Sequence, residues 1–466
     1  MLSRTGHQVT VIERDDTPLP KTADEAFEWD RRGAPQVRHS HAFLARLRNL
    51  LRDHYPDVLQ ALLDAGATEM RFGDNMAPTI ANYAPESGDE DLGLLACRRT
   101  TFEWVLRTIV TREGNVTIHT GTGVNGLIAS ANQMPPRITG VTLEGGQTSE
   151  ADVVIVANGR RSALPEWLEA IGVATPTEEI EDTGIVYYSR FYRLNNGQEF
   201  PTAIGGIGGD LGYLKYGVFV GDNRTFSVTL ATSTIDAELR RLLTDESVFT
   251  TIASALPATM AWVESSRATP ITDVHTMAGL LNRLRTYVEN GTPIAVGVLP
   301  IGDARLCTNP LYGRGCSTGF WTAHLATQAI NQHPDHLDAM ATAYHAAVVT
   351  EVEPHYRSSV AQDSEARRVA TALLDGENPD GDPDDPRAFM RSVLREGLLP
   401  ALRFDAVVLR AFFRTLNLLD DPNTLVTDPE IQGRVLNIWN ARHDRGPEPT
   451  LGPPRAELLT LIGRPT

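Results

Sequence analysis

The chain has 466 residues, 41% of them hydrophobic, with 42 Lys and Arg against 59 Asp and Glu and a formal net charge of −17. That length predicts two or three domains with sizeable cores, and the acidic balance argues against nucleic acid or an anionic membrane as a main partner. Cys97, Cys307 and Cys316 are too few and scattered for a disulfide framework or a metal site, and no run reaches the ~18 apolar residues of a membrane span. A reducing cytoplasm is therefore the expected compartment.

From the N-terminus, Gly6 to Arg14 (GHQVTVIER) is a short β-rich run closed by Glu13. In a dinucleotide-binding βαβ unit the second strand ends in an acidic residue that hydrogen-bonds a ribose, and Glu13, followed by Arg14, fits that place. The glycine fingerprint of such a unit begins about 20 residues earlier, which falls about seven residues before Met1. The expectation is that an apolar strand and a G-x-G-x-x-G loop are encoded in frame just upstream. Residues 15–40 are polar and aperiodic and predict a long functional loop, whereas 41–63 have helical spacing broken at Pro56 and stopping before Gly66.

Arg98 to Leu106 opens a further helix, and Val116 to Leu143 supplies short strands that read as a β-meander. Asp152 to Ser162 (DVVIVANGRRS) is a continuous apolar run ending in a turn, the pattern of a parallel strand covered on both faces. Thr183 to Ser266 changes character: aromatic β runs surround GGIGGDLG, and a short helix follows at 235–243. Those glycines, at 205, 206, 208 and 209, are flanked by hairpin-type strands and read as a turn, not a phosphate loop. Tyr187, Tyr216 and Phe219 are candidates to line a substrate pocket, although alternating aromatics also build sheet cores.

The stretch 293–330 carries the strongest signal. An apolar run, Ile294 to Ile301, reads as a buried strand that ends at Gly302-Asp303, crosses a loop holding Pro310, Gly313 and Gly315, and enters a helix near Ser317. A carboxylate at a strand end, glycines that admit close backbone approach, and a helix N-terminus together make a ligand cradle. Beyond Ile330 the chain reads as helical, and the acidic loop 376–386 lacks calcium-loop spacing and reads as a solvated connector.

Gly302-Asp303-Ala304, Pro310, Gly313 and Gly315 resemble the second FAD fingerprint, G-D-A followed by P-x-x-G-x-G, of the aromatic-hydroxylase-type flavoprotein monooxygenases. Arg99, Phe102, Glu103 and Leu106 match that family's R-x-x-L-x-x-x-L helix. Ala157, Gly159, Arg161 and Ser162 match its A-D-G-x-x-S turn, with Asn158 in place of the Asp and its negative charge. Gln36, His39 and His41 resemble a Q-x-x-H-x-H-like stretch of a bacterial subgroup.

The resemblance covers about residues 1–330 and implies an α/β (α+β) fold. Its parts are a Rossmann-like FAD-binding domain (1–182 and 281–332), an inserted antiparallel substrate domain (183–280) and a helical C-terminal region (333–466). It implies FAD as cofactor, NAD(P)H as electron donor, and transfer of one oxygen atom to a small, fairly apolar molecule. The implied cofactor residues are Glu13, Arg14, Arg99, Val124 (through its backbone, at adenine), Asn158, Asp303, Pro310, Gly313 and Gly315; Tyr187, Tyr216 and Phe219 would meet substrate. An Arg in the first turn of a helix suits ribityl or phosphate oxygens. Asn309 to Gly315 (NPLYGRG) is closer to the halogenases and isoprenoid reductases of the superfamily, but the halogenase W-x-W-x-I-P motif is absent. The alternatives are a flavin-dependent reductase of an isoprenoid-type substrate and a truncated, degenerate non-enzyme.

Overall fold

The computed structural model describes residues 1–463 apart from 75, 78, 81, 131–132, 203–206, 382–384 and 386. The glycines at 205 and 206 thus lie outside the described residues. β1 (Val9–Ile12) leads into the long loop, which carries only one short helical turn at Ala23–Phe27 and one 3-10 turn at Pro35–Arg38. The apolar spacing then forms α1 (Ala45–His54) and α2 (Pro56–Asp64), with Pro56 at the first position of α2, where its missing N–H costs nothing. α3 (Arg99–Val110) returns the chain to β2 (Val116–His119), which runs parallel to β1 with Val9 opposite Val116.

The β-meander expected from residue 116 onward is therefore shorter than predicted. It consists of β3 (Val124–Ala129), β4 (Ile138–Leu143) and β5 (Thr148–Glu150), antiparallel throughout. Alternation identifies residues 116–119 as a strand, but only the preceding helical crossover decides that its partner is parallel β1.

β6 (Val154–Val156) precedes a long excursion into a six-stranded antiparallel sheet. Its central strand is β7 (Ile185–Leu194), bordered by β9 (Thr225–Ser233) on one edge and by Ala268–Pro270 and β10 (His275–Met277) on the other. β8 (Leu214–Val220) pairs with β9 and, beyond it, with the hairpin strand Gly208–Asp210, so the described glycines 208 and 209 lie in a strand. Successive side chains point to opposite faces. Val186, Tyr188, Tyr192, Tyr216, Val218, Phe226, Val228 and Leu230 pack on one face against helices 237–242, 246–255 and 257–263. Each such side chain contributes about 1.5–3 kcal/mol by leaving water.

The chain then returns as β11 (Val298–Pro300), parallel to β6 with Val154 opposite Val298. The apolar run 294–301 is not one strand. Gly297 takes φ +75, and a Cβ there would stand 2.5 Å from the Ile138 carbonyl oxygen, so the extended run breaks where another backbone passes. α4 (Gly315–Gln332) and the helices at 337–347 and α5 (Glu353–Leu374) follow, the last two joined by a π turn at 348–352. No described helix is long and apolar enough to cross a membrane.

Among the described residues the pairs β1–β2 and β6–β11 do not hydrogen-bond to each other. A cavity of about 2690 Å³ borders both and reaches the six-stranded sheet. The Arg98–Asp222 ion pair, 1% and 0% exposed, ties the start of α3 to the β8–β9 turn beside it.

Candidate cofactor and substrate site

The cradle predicted after β11 is built by local geometry. Gly302–Ala304 make one 3-10 turn that sets Asp303 in the cavity wall, and Thr322 Oγ1 accepts the Gly302 N–H at 2.9 Å. Burial pushes the Asp303 carboxyl up, while the guanidiniums of Arg99 and Arg160 oppose that shift. Asn309 Oδ1 accepts the Leu311 N–H at 3.0 Å and closes the turn Pro310–Tyr312. Gly313 follows at φ +64, where a Cβ would come within 2.8 Å of Ala42 Cβ, so both the backbone angle and the space call for glycine. α4 starts at Gly315 with no side-chain cap on its first amides, and Gly315, Cys316 and Gly319 border the cavity. The positive end of an 18-residue helix thus meets the cavity wall.

Every predicted cofactor residue borders this one cavity: Glu13, Arg14, Arg99, Val124, Asn158, Asp303, Pro310, Gly313 and Gly315. Arg99 donates to Glu103 Oε1 from Nε at 2.9 Å and to the Cys316 thiol from Nη1. Burial opposes the Arg99 charge, but Cys316 and Glu103 raise its pKa overall. The Cys316 thiol itself is pushed up by burial despite Arg99. Arg31, which sequence reasoning missed, donates to Glu103 Oε2 at 2.9 Å and pairs with Glu13 at 3.4 Å and Asp15 at 3.5 Å. One wall therefore carries an alternating line, Glu13, Arg31, Glu103, Arg99. No periodicity marks Arg31, because it sits in the irregular loop.

These features fit a long, polar cofactor. The volume is several times the ~300–1,000 Å³ of an ordinary ligand pocket. The buried Thr308 hydroxyl, on the cavity wall beside the cradle, has no hydrogen-bond partner among the described residues.

Across the cavity lies the sheet face opposite the packed core. Tyr187 and Phe219 border it, and the Tyr187 hydroxyl donates to Asn309 Oδ1, tying the sheet to the glycine loop. Tyr216 borders the cavity as well, but the body of its side chain belongs to the sheet core. It alternates with Phe219 along β8, packs into the core, and donates its hydroxyl to the Leu451 carbonyl. Gln36, His39 and His41 also border the cavity. Burial pushes His39 down to about 4 and His41 to about 3, so both are neutral at physiological pH.

No family model matches the chain. The chain is 28% identical to Protein Rv3254 of Mycobacterium tuberculosis over 338 residues, 68% of this chain and 67% of that protein. Among solved structures it is similar to PqsL, a probable FAD-dependent monooxygenase from Pseudomonas aeruginosa, at TM-score 0.52 and 15% identity, covering 80% of this chain and 92% of that one. It is also similar to the flavin-dependent halogenase CmlS, at TM-score 0.55 and 17% identity, covering 99% of this chain and 73% of that one.

The chain has the fold of the FAD-dependent monooxygenases. In this flavoprotein fold the fingerprint matches at Arg99, Asn158 and Asp303 come from three separate stretches, and the fold gathers them around one space. What the fingerprints do not contain is the support behind them. Asp363 on α5, 1% exposed, accepts hydrogen bonds from Asn282 Nδ2 at 2.6 Å, Asn309 Nδ2 at 2.6 Å and the Tyr312 hydroxyl at 2.8 Å.

Proposed function

We propose that this protein is an FAD-dependent monooxygenase of a small molecule, using NAD(P)H as electron donor and oxygen as cosubstrate. The observation that carries the reading is the convergence of all nine predicted cofactor residues on one cavity that continues to a sheet face bearing Tyr187 and Phe219. Bound FAD would supply the redox chemistry, taking up electrons and activating oxygen. The chain's own residues bind, orient and exclude water. Glu13 would accept hydrogen bonds from ribose hydroxyls, with Arg31 fixing its carboxylate. Arg99 would meet ribityl or phosphate oxygens, and Asp303 would accept from ribityl hydroxyls. The first amides of α4 would face the polar edge of the ring system, where fixed dipoles favour negative charge.

Residues 183–280 would hold substrate against that ring, with Tyr187 and Phe219 as walls. Three free cysteines and a reducing cofactor support a cytoplasmic setting. The test is to purify the protein, release and identify any flavin, and follow NAD(P)H and oxygen consumption together. The reading expects a yellow protein with FAD and donor oxidation coupled to oxygen use. A protein that neither carries nor takes up FAD overturns it.

A further inference from the structure

α1 begins without a cap of its own. Leu44 stands at the N-cap position, where Ser, Thr, Asp or Asn ordinarily accepts one of the first amides, and a leucine side chain accepts nothing. The acceptors come from 372 positions further along the chain. Asn417, which ends the helix Ala406–Leu416, accepts the Ala45 N–H on Oδ1 at 3.0 Å and the Arg46 N–H on its carbonyl at 3.2 Å. Asn417 Nδ2 donates to the Phe413 carbonyl at 2.9 Å, so the orientation of the side-chain amide is set by its own helix.

The turn that presents these acceptors is held against a backbone preference. Leu418 is fully buried and takes φ +63, in the left-handed region that a Cβ disfavours. With the backbone so turned, the Leu418 carbonyl accepts from Arg46 Nε at 2.9 Å and the Leu419 carbonyl from Arg46 Nη2 at 3.5 Å. The Arg46 guanidinium also lies over the Trp321 ring of α4, 4.2 Å from its centre. The Leu418 side chain packs in one cluster with Leu44, Leu50 and Trp321, and that burial offsets the strain.

On its other side the start of α1 touches the cofactor cradle. The Leu44 N–H donates to Ser317 Oγ, in the first turn of α4, at 3.2 Å. Ala42 lies so close to Gly313 that a Cβ on the glycine would stand 2.8 Å from the Ala42 Cβ. The Phe43 carbonyl accepts the Leu95 N–H at 3.0 Å, and Ala42, Phe43 and Leu95 all border the cavity. Segment 42–46 is thus clamped between the glycine loop and α4 on one side and the turn 417–419 on the other. That turn belongs to the helical C-terminal region, outside every fingerprint.

We propose that Asn417 is a positioning residue for the cofactor site: it fixes the start of α1, and through Ala42 and Leu44 it holds the glycine loop and the first turn of α4 where the cofactor meets them. The proposal rests on the monooxygenase reading for the identity of that cofactor. Its consequence is a linkage between flavin binding and the docking of the C-terminal region. Whatever loosens the turn 417–419 frees segment 42–46 and weakens flavin binding, and bound flavin tightens the turn through the same contacts.

The test compares wild type with Asn417→Ala, Asn417→Asp and Arg46→Met, and with Val435→Ala, which opens a hole in the C-terminal core away from the turn. FAD release is followed by flavin fluorescence at a fixed interval below each protein's Tm, and amide exchange of segment 42–46 by mass spectrometry. Asn417→Ala should release FAD about tenfold faster than wild type, the fold-change of a buried amide left without its acceptor, and should exchange faster over 42–46. Asn417→Asp keeps the acceptor for the Ala45 N–H and loses the bond to Phe413, so it should retain FAD like wild type although its Tm falls. Arg46→Met leaves Asn417 in place and should release FAD about threefold faster. Val435→Ala should retain FAD.

Release from Asn417→Ala no faster than from Val435→Ala overturns the proposal and leaves the monooxygenase reading standing; so does release from Asn417→Asp that matches Asn417→Ala. If Asn417→Ala does not fold, wild-type release in Arg46→Met overturns it. A wild-type protein that neither carries nor takes up FAD fails the monooxygenase reading instead, and exchange then decides the positioning: faster exchange over 42–46 in Asn417→Ala than in Val435→Ala upholds it, and equal exchange overturns it.

Discussion

Asn309 Nδ2 donates to Asp363 Oδ1 at 2.6 Å, so a residue that closes the glycine loop is held by a helix 54 positions further along the chain. The same carboxylate gathers Asn282 and Tyr312, and Asn282 Oδ1 accepts the Asn309 N–H at 2.7 Å. Burial pushes the Asp363 carboxyl up, and the donors from Asn282, Asn309 and Tyr312 oppose that shift. The cradle is thus positioned from behind by a polar network that touches no cofactor residue's charge.

Asp363→Ala leaves the Asn282 and Asn309 amides buried without their acceptor, at a cost of ~1–3 kcal/mol each. We expect a lower Tm and faster FAD loss, with Asp363→Asn intermediate, measured by thermal unfolding and by flavin fluorescence on release. Unchanged flavin retention in a folded Asp363→Ala protein would show that α5 does not position the loop.

Asp303 joins cofactor binding to a stability cost. Its carboxyl is raised in the folded state, so folding favours the protonated form, and the apoprotein loses stability as pH rises from the ordinary carboxylate range through that raised value. Apo Asp303→Asn should therefore melt above wild type at pH 7, with the gap closing below about pH 4. The same variant should bind FAD about tenfold to a hundredfold more weakly, since one hydrogen bond to a charge contributes ~1.5–3 kcal/mol. A wild-type FAD affinity in this variant would remove Asp303 from the site.

Tyr216 and Phe219 stand three positions apart on β8, on opposite faces of the strand, and should part company on mutation. Tyr216→Phe removes the hydroxyl bond to Leu451 and should cost ~0.5–1.5 kcal/mol of stability with flavin content unchanged. Phe219→Ala should alter product formed per NAD(P)H consumed while stability changes little. Reversed effects would place Tyr216 against substrate and Phe219 in the core.

Asp222 receives Arg98 Nη2 at 2.7 Å, the Arg98 backbone N–H at 2.7 Å and the Thr101 hydroxyl at 2.8 Å, all buried. Burial raises the Asp222 carboxyl, but these donors leave it below its ordinary value. Asp222→Ala strands a buried guanidinium and should cost about 3–5 kcal/mol by denaturant unfolding, whereas Arg98→Met with Asp222→Leu should recover most of it. A double variant no better than Asp222→Ala would show that the pair's hydrogen bonds, not its stranded charge, set the cost.

The sequence by itself determined the cradle, because a strand end, a glycine turn and a helix start within one short continuous stretch leave little conformational choice. Glu13, Arg99 and Asp303 were legible for the same reason: each occupies a fixed place relative to a local strand or helix end. The partner of residues 116–119 was not legible, since alternation marks a strand without saying what lies beside it. Nor was the packing of Tyr216: a period of two puts it and Phe219 on opposite faces, but only the helices at 237–263 decide which of those faces is covered. The residues missed altogether, Arg31, Asp222 and Asp363, are polar groups whose partners lie far along the chain, 124 positions for Asp222 and Arg98. Buried polar groups must find hydrogen bonds somewhere, but through-space proximity chooses the partner, and that exists only once the chain has folded.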